Sequence, residues 1–273
     1  MTGESDATSG GSPRISALIP VHNEGWQLAD CLGCLDFVDE IVVVLDRCDD
    51  DSRSIAQQYG AVILEGAWEI EGHRRNEGIE KCSGDWILEV DADERVPVAL
   101  AMEIRETVVA FGSNPPPGYF LIPFDNYIGE RLVRYGWGAS FGVAAAPRLF
   151  TKGAKHWGEQ RIHPSVTLAG PKRFLKTPMV HYVDRDISDM IARLDRYSTA
   201  RAADLRQSGD IGSLANNIRR LFSRFIKCYI SRKGYREGGW GFLVALLAGL
   251  YPLLSYLKAR LEESDQEEDQ QGG

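Results

Sequence analysis

Apolar residues in the first ninety positions fall into short unbroken runs, each followed by a segment with helical spacing. The runs cover 15–21, 41–45, 61–64 and 86–90, and this alternation predicts βαβ units built on a parallel sheet. Val42, Val43 and Val44 are consecutive and β-branched, which suits a strand covered on both faces. Ile55, Ala56 and Tyr59 give helical spacing behind the acidic stretch 49–51, where carboxylates can cap a helix. Beyond Asp93 the pattern predicts a helix over 98–110, halted by the segment 112–117 with its three prolines. From Tyr119 to Tyr182 the periodicity is poor and the reading is mixed strand and loop. Helical spacing returns at Met190, Ile191, Leu194 and Tyr197, within 187–205.

The clearest amphipathic pattern follows. Ile218, Leu221, Phe222, Phe225, Ile226, Tyr229 and Ile230 form one helical stripe, and Arg219, Arg220, Arg224, Lys227, Arg232, Lys233 and Arg236 surround it without an acidic residue. A basic stripe beside an apolar face predicts an interfacial helix on an anionic membrane surface; a helix packed on the protein with a solvated basic side is the alternative. Residues 238–257 are almost wholly apolar and approach the ~20 residues that cross a bilayer. Pro252 and several glycines leave a span, a re-entrant segment and an interfacial hairpin all open. No internal repeat is visible.

Composition narrows the function classes. A chain of 273 residues that is 44% hydrophobic can bury a large core. Its net charge of -8 argues against a nucleic-acid binder, which needs a basic footprint on phosphate. Cys31 and Cys34 form a CxxC with no second pair, on a segment whose Leu28, Cys31, Leu32 and Leu35 read as a helix face. The five cysteines are therefore expected to be buried thiols in a reducing compartment. Residues 1–13 are rich in Gly, Ser and Thr and read as a loose tail, not a signal peptide.

In an open parallel sheet, ligands bind beyond the carboxyl ends of the strands. The first run ends in Pro20, Val21, His22, Asn23 and Glu24, the second in Asp46, the fourth in Asp91, Ala92, Asp93 and Glu94. Two aspartates one residue apart at a strand end can face one hard cation, and oxygen ligands suit Mn2+ or Mg2+ bridging to a diphosphate. Read alone, such acids also cap the next helix. Asp46 could accept from a uracil imide while His22 packs on the base, although a turn cap and a surface histidine account for each singly. Arg74, Arg75 and Asn76 could donate to a diphosphate or simply begin a helix.

These segments, with Gly84, Asp85 and Trp86 leading into the paired acids, resemble glycosyltransferase family 2 with its GT-A fold. Within that family the chain is similar to the bacterial lipopolysaccharide core glucosyltransferase type, from Ile15 to Leu261. The likeness includes Pro147, Arg148, Leu149 and Phe150, the His181 and Tyr182 step, and Arg196, Tyr197 and Ser198. The resemblance implies an α/β fold with a mostly parallel, Rossmann-like sheet flanked by helices and a C-terminal amphipathic extension. It implies a nucleotide diphosphate sugar donor, an inverting transfer to a glycan or lipid-linked acceptor, and work at the cytoplasmic face of a membrane. By position, Asp91 and Asp93 become the metal and diphosphate site with His181 as a further ligand. Pro20, Val21, His22, Asn23, Glu24, Asp46, Arg75 and Asp91 become nucleotide contacts. Glu159 and His163 are candidates for the base, and Pro164 departs from the glutamate that relatives often place there. The implied organisation is a tail over 1–13, a catalytic domain over 14–206, membrane-associating helices over 207–261 and an acidic tail over 262–273.

Two other readings stay open on the residues. An Asp-x-Asp phosphatase would carry its pair after the first strand, and here the pair follows the fourth. A nucleotide-sugar-binding scaffold that has lost its base would keep every motif above except the one interrupted at Pro164.

Overall fold

The computed structural model of the chain describes residues 12–138, 141–159 and 165–262. Contacts divide these residues into two compact units, with boundaries at Pro123/Phe124, Ala144/Ala145 and Val180/His181.

The first unit begins with the expected alternation. Strands and helices follow as β1 (Ile15–Val21), α1 (Gly25–Leu32), β2 (Glu40–Asp46), α2 (Ser52–Gln58), β3 (Val62–Gly66), α3 (Glu71–Lys81), β4 (Trp86–Glu89), β5 (Glu94–Arg95) and α4 (Val98–Phe111). Next come β6 (Tyr119–Ile128) and β7 (Arg131–Leu132), then β8 (Ala145–Thr151), β9 (Lys155–Trp157), β10 (Val166–Leu168), β11 (Lys172–Phe174) and β12 (Met179–Asp184). Strands β6 and β12 carry the chain across the boundary between units.

In the first unit the sheet runs β3, β2, β1, β4, β8, β6. The first four strands are parallel and β8 is antiparallel to both of its neighbours. Every residue of β1 is buried, as a central strand covered on both faces requires. Leu18, Val42, Val44, Ile79, Ile87 and Phe150 form one apolar core there. Helix α3 approaches the sheet at Gly78, where an added Cβ would sit 2.5 Å from Leu18 and 2.8 Å from Val44. Only glycine permits that approach. Helix α4 ends at Gly112, whose φ of 69° places it where side chains are strained. The five cysteines are free thiols; Cys31, Cys82 and Cys228 are buried.

The second unit is mostly helical. A hairpin of β6 and β7 leads into Trp137 and Phe141, which are buried with Met190, Leu194, Val244, Ala248 and Tyr251. The helices are α5 (Ile187–Ser208), α6 (Leu214–Ile226) and α7 (Gly239–Leu261). Ser213 caps α6 by accepting from Asn216 N at 3.3 Å, and Asp186 caps α5 in the same way at 2.8 Å.

The apolar stretch near 238–257 is neither a hairpin nor a re-entrant segment. It is one continuous helix that keeps Pro252 within it. This helix is long and apolar enough to cross a membrane, yet half of its apolar window is buried inside the protein. Gly249 lets α6 cross it closely, since a Cβ there would lie 2.8 Å from Leu221 O. The amphipathic stripe divides in two: Leu221, Phe225 and Tyr229 are half-buried, whereas Leu214, Ile218, Phe222, Ile226 and Ile230 are exposed.

Candidate active site

The carboxyl ends of β1 and β2 are tied together by polar groups of their loops. His22 Nδ1 lies 2.6 Å from Asp46 O, Asn23 Oδ1 accepts from Asp49 N at 2.9 Å, and Asp50 accepts from Gly25 N at 2.8 Å. Asn23 holds φ at 54°, a left-handed conformation that asparagine tolerates better than most residues. Pro20 and Val21 are buried in β1 beneath this loop, and His22 is exposed above it.

Asp46 is buried at the tip of β2. Its carboxylate accepts from Arg47 Nε at 2.9 Å, Arg47 Nη2 at 3.0 Å and Trp68 N at 3.1 Å. Burial pushes its pKa upward, but these donors and the nearby Arg74 more than offset that and hold it below the usual carboxylate range. A cleft of about 320 Å³ opens at the end of β2, lined by Leu45, Arg47, Cys48, Asp50, Arg53 and Glu65 among others but not by Asp46. Its volume falls at the small end of ligand pockets.

Beyond β4, charge is buried and shared. Asp91 receives Arg75 Nη2 at 2.9 Å on one carboxylate oxygen and Arg148 Nη2 on the other. Arg75 also donates to Glu71 at 2.6 Å and to Glu89; Arg148 also reaches Glu94 and, at 3.5 Å, Glu89. Lys155 Nζ completes the group 2.6 Å from Glu89. Burial alone would raise these carboxyl groups, yet Lys155, Arg75 and Arg148 hold Glu89 down at about 2. Arg148 and Arg75 likewise keep Asp91 ionised against its burial. Lys155 is also lowered, to about 8, but there burial disfavours the charged form and Glu89 opposes the shift. Arg75, expected on a diphosphate, and Asp91, expected at a metal and diphosphate site, hold each other in the structure.

Glu24 behaves differently. Burial, then the negative charges of Asp93 and Asp91, raise its pKa to about 7. Burial is the larger cause; the two aspartates add negative potential to it, which a cation would relieve. Asp93 itself is half-buried.

The remaining predicted residues are more dispersed. Glu159 is exposed, 3.7 Å from His73 Nε2, and His163 and Pro164 lie outside the described residues. His181 belongs to the second unit, on β12. Asn126 Nδ2 donates to Val143 O at 2.9 Å, so its oxygen faces His181 Nδ1 at 2.9 Å. That oxygen requires the proton on Nδ1 and leaves the ring lone pair on Nε2, the form in which imidazole ligates metals.

Comparison with known proteins matches residues 16–104 to glycosyl transferase family 2. This segment contains the first four strands and both acidic strand ends. The chain carries a family 2 glycosyltransferase domain. An uncharacterized glycosyltransferase of Rickettsia felis is 26% identical over 260 residues, covering 90% of this chain and 89% of that one. The lipopolysaccharide core biosynthesis glycosyltransferase LpsC of Rhizobium meliloti is 23% identical over 262 residues, covering 89% and 91%. Among solved structures, the chain is similar to glucosyl-3-phosphoglycerate synthase from Mycobacterium tuberculosis. That likeness has a TM-score of 0.32 and 20% identity, covering 42% of this chain and 44% of that one.

The glycosyltransferase holds its acidic loop with groups that the sequence reading did not single out for this role: Glu89, Arg148 and Lys155. A signal for them existed. Glu89 interrupts the apolar run of β4, and Arg148 interrupts that of β8. Charges inside otherwise apolar strands are retained only when paired.

Proposed function

We propose that this glycosyltransferase moves a hexose, glucose in our reading, from a UDP sugar to a lipid-linked or cell-envelope glycan, with inversion, at the cytoplasmic face of a membrane. The observation that carries the reading is the carboxyl edge of the first unit. There Asp46 is held ionised by Arg47 and the Trp68 N–H, and Glu24, raised first by burial and then by Asp93, stands beside the paired acids. The name of the Rhizobium meliloti relative supports lipopolysaccharide core assembly as the process.

In this reading His22, Asn23, Asp46 and the backbone of Pro20 and Val21 seat the nucleoside. Asp93 serves as the carboxylate ligand of a divalent ion. Glu24 gives the fit test: negative potential beside Asp93 suits Mn2+ or Mg2+. Such an ion would neutralise charge on the departing diphosphate. With both oxygens of Asp91 held by guanidinium groups, Asp91 and Arg75 act chiefly by fixing the loop that presents Asp93. The acceptor hydroxyl attacks the anomeric carbon as the bond to the diphosphate breaks, and the electron pair leaves on the phosphate oxygen. Glu159 or His163 takes the hydroxyl proton.

The test is transfer from a panel of labelled nucleotide sugars to extracted envelope glycolipid, with and without Mn2+. The expected result is metal-dependent transfer from a UDP hexose that gives a product of inverted anomeric configuration. A product of retained configuration, or transfer only from a donor lacking a diphosphate, would overturn the proposal.

A further inference from the structure

The face of α6 that the protein leaves open has an unusual make-up. Leu214, Ile218, Phe222, Ile226 and Ile230 recur every fourth residue and are between 41% and 60% exposed. Residues four apart stack on one side of a helix, so these five form a continuous apolar ladder. The ladder continues past the end of α6, because Ile230 lies in the widened turn Lys227–Ser231 that extends it. The flanking, half-buried side chains Leu221 and Phe225 already pack on the protein, Phe225 against Phe242 at 5.5 Å. The exposed ladder is therefore not a displaced part of the core.

Charge indicates what covers it. Residues 211–236 contain seven basic side chains and no acidic one. Subtracting those seven charges from the net -8 leaves -15 on the rest of the chain. Arg219, Arg220 and Lys227 are exposed beside the ladder. A second copy laid on the same face would bring Arg219, Arg220 and Lys227 against their own counterparts. A polyanion without apolar surface would leave the isoleucines and Phe222 in water. An anionic bilayer surface satisfies both, taking the ladder into its acyl boundary and the guanidinium and ammonium groups at its headgroups.

We infer that α6 and its extension dock the enzyme on an anionic lipid surface, lying in the plane of the membrane, while α7 serves as the internal helix against which α6 is braced. This rests on, and sharpens, the reading of the chain as an enzyme of the membrane face. It does not depend on sugar chemistry.

Co-sedimentation of the full chain with vesicles tests it. Binding is expected to vesicles of phosphatidylcholine containing phosphatidylglycerol, to weaken with added salt, and to be slight with phosphatidylcholine alone. Phe222→Glu with Ile226→Glu should lower partitioning by on the order of tenfold or more. Arg219→Glu with Arg220→Glu should lower it on anionic vesicles and leave the neutral ones unchanged. The second pair stands as the test if the first alters the melting curve. Binding of both variant pairs as strong as that of the parent, or parent binding indifferent to lipid charge, would overturn the inference. So would a concentration-dependent dimer, formed without vesicles, that the ladder substitutions abolish. Vesicle binding without sugar transfer, or transfer without vesicle binding, would tell failure of one proposal from failure of the other.

Discussion

The acidic edge of the first unit and the α6 face of the second depart from ordinary sorting in opposite directions. At the edge, Glu89, Asp91, Glu94, Arg75, Arg148 and Lys155 take charge out of water and neutralise it among themselves. On α6, apolar side chains stand in water beside charges of a single sign. A folding sequence sorts apolar residues inward and unpaired charge outward, and it breaks that rule where something other than stability is served. The first departure holds a loop in one geometry for chemistry. The second keeps a surface ready for a partner.

The largest expected effect removes a cation from the buried group. Arg148→Ala leaves Glu89, Asp91 and Glu94 short of positive charge and should cost about 3–5 kcal/mol, measured by urea unfolding. A loss below ~1 kcal/mol would mean that the group is solvated rather than buried, and the comparison would fail on that side.

Glu24 provides the next effect, through pH. Its folded pKa near 7 lies above its ordinary value of 4.5. Its contribution is therefore fully present below about 4.5 and is lost as pH rises through 7. Glu24→Gln should remove a falling limb of about 3 kcal/mol over that window, seen as the difference between the two stability profiles. Superimposed profiles would show that neither burial nor the two aspartates raise Glu24.

The smallest effect is on α6. Phe222→Glu changes an exposed position without core contacts, so stability should stay within about 0.5 kcal/mol of the parent even as vesicle binding falls. A large stability loss would place Phe222 in the core and remove the contrast between the two regions.

Much of the first unit was legible because its signal is local. Runs at 15–21, 41–45, 61–64 and 86–90 coincide with β1 to β4 to within two residues, and the strand ends carry the polar groups expected. The middle was not legible for a physical reason. Strand β6 buries alternate residues, but its other face holds Tyr119, Leu121 and Pro123, half-buried beneath further chain, so apolar residues occupy both phases and the period disappears. The ionic group was hidden too, because it joins β4, α3, β8 and β9 across distant stretches of sequence. The stripe over 218–230 was visible, yet its division into a packed side and an open side depends on α7, which periodicity cannot place.

We propose that Asp93 and its neighbours hold a divalent ion against a nucleotide diphosphate. Thermal unfolding with UDP-glucose, with and without Mn2+, tests it most directly, because a ligand bound to the native state alone raises the melting temperature. The account predicts a rise that needs both components in the parent and is absent in Asp93→Ala. An equal rise in Asp93→Ala, or one indifferent to Mn2+, would contradict it.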